Sequence, residues 1–85
     1  MTGVEEAVAR EIRRIARDEL RLAVEAGDGD ELASSLDSLA LLSLVVAVED
    51  RFHVALTEED AAHARSLADL ARVVASRAPP EVLPP

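Results

Sequence analysis

Ser38 is the residue of this chain that is best placed for covalent chemistry. It directly follows Asp37, a good helix N-cap residue, and it precedes a long apolar segment. The start of a helix presents backbone N–H groups without intrahelical partners and the positive end of the helix dipole, so it accommodates a phosphate. Ser38 is therefore suited to carry a phosphate-bearing arm on its hydroxyl. On position alone, a serine at a helix start usually has only a structural role.

Other catalytic and metal-binding arrangements have little support. A serine hydrolase would need a base near Ser38, but the chain has no Gly-x-Ser-x-Gly motif, and His53 and His63 lie at or beyond the far end of the following helix. We interpret both histidines as surface or loop residues and predict no metal site, because no cysteine or third histidine accompanies them. The acidic segment 28–31 lacks the full ligand series of a calcium loop.

The second predicted helix has two apolar faces. At about 100° per residue, one face is a core stripe of Leu41, Leu44, Val45, Val48 and Phe52. Leu39, Leu42 and Val46 form a second face, with Glu49 and Asp50 at its edges. One interpretation is that loop residues or the third helix cover part of this second face, and the other is a docking patch with an apolar centre and an acidic rim. Both can hold, because a small bundle cannot cover every side of a helix.

The first predicted element is an amphipathic helix over about residues 4–25, because apolar residues recur there at helical spacing. The segment Gly27-Asp28-Gly29-Asp30 is expected to end it, since Gly tolerates the left-handed conformation of a helix C-terminus. A polar loop over residues 28–37 follows. Its Leu32 and Leu36 are expected to enter the core.

Local capping signals predict the next two helices. Asp37 is expected to cap a second helix over residues 38–52. Thr57-Glu58-Glu59-Asp60 is similar to a capping box, with Asp in place of the usual Glu or Gln. It predicts a short third helix over about residues 58–64.

A further capping pattern, Ser66-Leu67-Ala68-Asp69, predicts a fourth helix over about residues 67–77, which the prolines at 79–80 end. The inward residues of this helix are expected to be Leu67, Leu70, Val73 and Val74. We predict one domain over residues 1–78. Residues 79–85, which include four prolines, are expected to form an extended, flexible tail.

Size and charge disfavour several functional classes. A chain of 85 residues has little room for a large catalytic constellation, so an independent enzyme is disfavoured. The net charge of −8 and the single aromatic, Phe52, argue against nucleic acid as a partner and favour basic protein patches. The N-terminus has no apolar signal region, and no apolar run is long enough to span a bilayer. We therefore expect a soluble cytoplasmic protein without a membrane partner.

The segment Asp37-Ser38-Leu39 resembles the Asp-Ser-Leu signature of the acyl carrier protein family. The resemblance extends over about residues 5–77. Further matching segments are Leu36, Glu49-Asp50-Arg51-Phe52, Leu56-Thr57-Glu58-Glu59-Asp60 and Ser66-Leu67-Ala68-Asp69-Leu70. A lone Asp-Ser-Leu is weak evidence for the family. Together with this spacing of matching segments and the four-helix pattern, it is strong evidence. The resemblance implies an all-α, four-helix acyl-carrier-like bundle of three longer helices and one short helix.

The resemblance also implies a cofactor and partners. A phosphopantetheinyl transferase would move 4′-phosphopantetheine from coenzyme A onto Ser38, with magnesium in the transferase. The thiol of the arm would hold acyl groups as thioesters. The chain itself would be a monomer and would not act as an enzyme. It would deliver this cargo to acyltransferase, adenylating ligase or ketosynthase enzymes. The residues that partners would recognise are Asp37, Leu39, Leu42, Val46, Glu49 and Asp50.

The sequence departs from the pattern of fatty-acid carriers near the serine. Ala40 and Ser43 stand where acidic residues usually follow it, and Ser35 stands where Gly usually precedes it. We therefore expect a carrier of specialised metabolism, such as polyketide, antibiotic, hybrid-peptide or amino-acid-loading biosynthesis. The chain length, with no second domain, favours a free-standing carrier. The alternatives are an aminoacyl or peptidyl carrier of nonribosomal peptide synthesis, a domain excised from a larger synthase, and a non-catalytic helical interaction module. The identity of the cargo stays open.

Overall fold

Four α-helices form most of the described part of the molecule, which in this computed structural model comprises residues 3–22, Leu32 and residues 36–84. Their bounds are Gly3–Arg14 for α1, Ser38–Phe52 for α2, Glu58–His63 for α3 and Leu67–Arg77 for α4. These described ranges contain no β-strand, which confirms the predicted all-α bundle of three longer helices and one short helix. α1 packs along α4, and residues of α2 complete the core.

The first helix ends through a wider π-helical turn, Ile15–Glu19, which follows α1 without a break. The Leu20 N–H donates to the Ile15 carbonyl at 3.0 Å, one residue further back than in an α-helix. Arg21 then has a φ of 54°, in the left-handed region, so the chain leaves the helix direction there.

The predicted end of the first helix at about residue 25 is therefore wrong. The helix stops at Glu19 because the π turn and the left-handed Arg21 terminate it earlier. The predicted stop signal, Gly27-Asp28-Gly29-Asp30, and the acidic segment 28–31 lie outside the described residues.

The core combines one stripe of each longer helix with two leucines that precede α2. Its fully buried side chains include Val8, Ile12, Ile15, Leu44, Val48, Phe52, Leu67, Leu70 and Val74. The prediction that Leu32 and Leu36 enter the core is confirmed. Leu41 and Val45, predicted in the core stripe of α2, are only partly buried. Each fully buried large side chain contributes about 1.5–3 kcal/mol of transfer free energy.

The predicted inward face of α4 is confirmed except at one position. Val73 is only partly buried, whereas Ala71 is completely buried. The buried stripe runs from Leu67 through Leu70 and Ala71 to Val74 at helical spacing, and Val73 lies beside that stripe.

α3 begins with the predicted capping box. Thr57 Oγ1 accepts a hydrogen bond from the Asp60 N–H at 3.0 Å, and Asp60 Oδ2 accepts one from the Thr57 N–H at 2.9 Å. α3 ends at His63, and it buries none of its side chains. α4 is capped by Ser66, whose hydroxyl accepts from the Asp69 N–H at 3.1 Å.

The C-terminal tail folds back on the bundle. Pro80–Val82 form one 3-10 turn, and Val82 and Leu83 pack partly against the core. Arg51 of α2 holds this segment, since its Nη1 donates to the Val82 carbonyl at 3.0 Å. Its Nε donates to Glu11 Oε2 of α1, also at 3.0 Å. The prediction of an extended tail is therefore wrong, because the apolar residues between the prolines reach the core.

Glu11 of α1 binds Arg51, the same side chain that holds the tail. Its carboxylate accepts hydrogen bonds from Arg14 and Arg51. These bonds, that of Arg14 first, hold the pKa of Glu11 below its ordinary value. A carboxyl with a lowered pKa stabilises the fold above the pKa of the unfolded chain, and this contribution is lost as the pH falls through the lowered pKa.

We expect Arg51→Ala to lower the free energy of unfolding by about 1 kcal/mol, because it removes contacts to both α1 and the tail. Urea unfolding followed by far-UV circular dichroism measures the change. Arg72→Ala is the matched control, since the ion pair of Arg72 is with Asp69 on the same helix. The control should lose less than about 0.5 kcal/mol. Equal losses in the two variants would contradict the tethering role of Arg51.

Candidate functional site

Ser38 is the first residue of α2, and its side chain is exposed. Asp37 precedes it in an extended conformation, with φ −74° and ψ 174°, and Asp37 Oδ1 accepts a hydrogen bond from the Ala40 N–H at 2.8 Å. The prediction of Asp37 as the N-cap is therefore confirmed. α2 begins at Ser38 and ends at Phe52, as predicted.

The charge at the start of α2 suits an anionic group on Ser38. No acidic residue lies in the first turn of the helix. The carboxylate of Asp37 is directed into the helix start by its bond to the Ala40 N–H. The Asp37 carboxylate takes one first-turn N–H, and the other first-turn N–H groups and the positive end of the helix dipole favour a phosphate on Ser38. A phosphate ester on Ser38 fits this environment.

An apolar cavity of about 250 Å³ adjoins Ser38. Its aliphatic walls come from Leu32, Leu41, Leu42, Val45, Leu56, Ala61, Ala64 and Leu70. Ser38 is the polar residue among the described residues that line it. A water molecule in the liquid occupies roughly 30 Å³, so the cavity has room for a chain of several heavy atoms. An apolar group tethered at Ser38 would find an apolar environment beside its attachment point.

The second apolar face of α2 is exposed, which decides whether other segments cover it, a question that the sequence left open. Leu39 is 74%, Leu42 59% and Val46 55% exposed, and these three residues are called the exposed apolar face below. Leu20, from the end of the π turn, lines a shallow groove together with Leu42 and Val46. The sequence did not indicate Leu20, because the periodicity placed it inside the first helix.

The two acidic residues beside this face have different surroundings. Asp50 is exposed and lines the shallow groove. Glu49 is partly buried, and its Oε2 accepts a hydrogen bond from the Leu56 N–H at 2.8 Å. No local rule predicts this bond, because it joins the last turn of α2 to the segment before α3. The predicted recognition residues that are exposed are Asp37, Leu39, Leu42, Val46 and Asp50.

Neither histidine lines the cavity beside Ser38. His53 lies at the opposite end of α2, where its φ of 54° and the hydrogen bond from its N–H to the Glu49 carbonyl end the helix. His63 is exposed in the last turn of α3. Within the described residues, no cluster of three or more His, Cys, Asp or Glu could hold a metal ion. None of the described helices combines the length and apolarity needed to cross a bilayer.

Comparison with known proteins places the chain in a family context. A family model described as "Phosphopantetheine attachment site" matches residues 10–74, which span most of the bundle. No curated protein and no solved structure gives a significant match.

Two substitutions separate the hydrogen bond of Asp37 from its charge. We expect Asp37→Ala to lower the free energy of unfolding by about 1 kcal/mol, because the Ala40 N–H loses its acceptor. Asp37→Asn keeps an acceptor oxygen and should lose only a few tenths of a kcal/mol, since Asn is a comparable N-cap residue. Urea unfolding compares both variants with the parent chain. An equal loss in both would show that the charge, rather than the hydrogen bond, stabilises the start of α2.

Proposed function

The chain belongs to the phosphopantetheine attachment site family, whose members carry covalently attached 4′-phosphopantetheine, and we propose that the arm is attached to Ser38 Oγ. The chain is accordingly a carrier protein. The observation that carries the proposal is an exposed serine hydroxyl on the first turn of a capped helix, beside an apolar cavity.

The other described serines of the matched region are less suitable. Ser43 donates its hydroxyl to the Leu39 carbonyl one turn earlier, at 3.0 Å. Ser66 is buried and caps α4 through its hydroxyl. Neither hydroxyl has the first-turn position in α2 that favours a phosphate. These contacts support Ser38 as the attachment residue.

The residues of this chain hold and present the arm rather than react with its cargo. When bound, the arm supplies a terminal thiol that carries acyl groups as thioesters. Ser38 offers its oxygen at the positive end of the α2 dipole, which offsets part of the charge of a phosphodiester. Asp37 stabilises that helix start. Because attachment confines the cargo near the exposed apolar face, the cargo has a high effective concentration for any enzyme docked there. We assign the base and the magnesium ion of the attachment reaction to the transferase.

We infer that the cargo is an acyl group. The walls of the cavity beside Ser38 are aliphatic, and burying an unpaired ammonium group among them would be costly. The apolar end of an acyl chain has no such penalty. An aminoacyl or peptidyl carrier is the second form of the proposal, in which the cargo stays outside the cavity.

The surface of α2 supports a carrier of specialised metabolism, with a role in polyketide or antibiotic biosynthesis. Ala40 and Ser43 leave the start of α2 without acidic side chains, and Leu39 is its most exposed large apolar residue. Partners would therefore meet an apolar surface first, with Asp50 at its rim. The expected partners are a phosphopantetheinyl transferase and acyltransferase, adenylating ligase or ketosynthase enzymes with a basic rim around an apolar contact.

The direct test is modification of the purified chain with coenzyme A and a broad phosphopantetheinyl transferase. Intact mass spectrometry should show the addition of one phosphopantetheine group to the parent chain and none to Ser38→Ala. Ser43→Ala is the matched control, because Ser43 is exposed on the same helix, and it should be modified like the parent chain.

Two outcomes would oppose this assignment. A modified Ser38→Ala variant would move the attachment to another residue. A parent chain that several transferases leave unmodified, but that still binds a partner through the exposed apolar face, would favour a non-catalytic helical interaction module.

We expect Leu39→Glu to reduce kcat/KM of the transferase for this chain by about tenfold, because a charge would enter the apolar contact next to Ser38. Initial rates at limiting transferase measure the effect. Val4→Glu is the control, since Val4 is an exposed apolar residue on α1 and should leave the rate unchanged. The circular dichroism of both variants should match the parent chain. An unchanged rate for Leu39→Glu would remove the exposed apolar face from transferase recognition.

A further inference from the structure

α3 contributes to the cavity beside Ser38 although it is weakly anchored to the bundle. Ala61 of α3 and Ala64, which follows it, line the cavity, but no residue of Glu58–His63 is buried. Leu56, before the helix, is only partly buried against the core. Elements with little buried apolar surface open locally at a low free-energy cost. Apolar packing alone therefore holds this wall of the cavity only weakly.

A charged contact connects α3 to the last turn of α4. Both Arg77 Nη atoms donate to the carboxylate of Asp60, with the Nη2–Oδ1 distance at 2.7 Å. This two-point contact between a guanidinium and a carboxylate fixes orientation as well as distance. The side chain of Asp60 is only 11% exposed, so solvent screens its part of the pair less than in a fully exposed pair.

Asp60 links the internal order of α3 to that contact. The same carboxylate accepts the Thr57 N–H in the capping box. The hydrogen bonds to Asp60, that of the Thr57 backbone N–H first, hold its pKa below the ordinary value. Asp60 is thus charged at neutral pH. The chain on either side of the helix is irregular, with His53 left-handed before it and Ala64 at φ −89° and ψ 72° after it.

We propose that the Asp60–Arg77 pair is a latch that holds α3 against α4 and so keeps this wall of the cavity closed. Release of the latch allows α3 to swing away from α4 about the segments that flank it, which widens the cavity. The Glu49–Leu56 hydrogen bond limits this motion to residues after Leu56. A consequence for cargo rests on the function proposed above: the latch controls how firmly an acyl chain tethered at Ser38 is enclosed.

Hydrogen exchange on the unmodified chain tests the latch without any assumption about the arm. Arg77→Gln should raise the exchange rates of amides in residues 58–64 at least tenfold, with α1 and α2 unchanged. Arg72→Gln is the matched control, because it removes an ion pair that lies within α4. Asp60→Asn, which keeps an acceptor for the capping box, should reproduce the effect of Arg77→Gln and so exclude a simple fraying of α4.

Parent-like exchange over residues 58–64 in both Arg77→Gln and Asp60→Asn would overturn the proposal. An equal rise over all helices would overturn it too, because that pattern reports global destabilisation rather than local opening.

A second measurement tests the consequence for cargo. Octanoyl coenzyme A and a transferase load the chain, and hydroxylamine then cleaves the thioester. We expect cleavage at least threefold faster in Arg77→Gln than in Arg72→Gln, because the chain is enclosed less firmly. Equal cleavage rates would overturn the link between latch and cargo. Failure of loading would contradict the attachment of the arm to this chain. The hydrogen-exchange result would still show whether the Asp60–Arg77 pair holds α3 in place.

Discussion

The burial of Leu44, Val48 and Phe52 fixes the rotation of α2 about its axis, and the position of the whole site depends on that rotation. Successive residues differ by about 100° around the helix, so the exposed apolar face points roughly 150° away from the middle of this stripe. Ser38 falls between the two directions. This intermediate position explains why Ser38 is exposed and yet lines the cavity. One packing constraint therefore places a reactive hydroxyl at the boundary between the apolar interior and an apolar surface.

The parts of this arrangement that the sequence predicts are those that local physical rules decide. The N-cap at Asp37 and the capping box between Thr57 and Asp60 involve groups three residues apart, so their residue types are sufficient signals. Helical periodicity also predicts that α2 has a second apolar face. Periodicity leaves open whether other segments cover that face, and the structure shows it exposed.

The parts that the sequence does not predict depend on contacts between distant residues or on rare backbone conformations. The bond from the Leu56 N–H to the Glu49 carboxylate and the bond from Arg51 to the Val82 carbonyl each join segments that no local motif relates. The end of the first helix depends on Arg21, an ordinary helix former that adopts a left-handed conformation. The residue type of Arg21 does not predict this conformation. The tail was expected to be extended because its prolines dominate the composition, whereas its apolar side chains decide its position.

The small side chains at Ala61 and Ala64 connect stability to function. Each additional methylene buried there would contribute about 0.8 kcal/mol, which is appreciable in a domain of this size. The same methylenes would occupy the space beside Ser38, since both alanines line the cavity. A well-packed α3 and an open cavity thus exclude each other. The structure has the cavity, and polar contacts at Thr57, Asp60 and Arg77 order α3 in place of apolar burial. Polar contacts of this kind are directional and reversible, so they define a closed position without filling the space that a cargo would need.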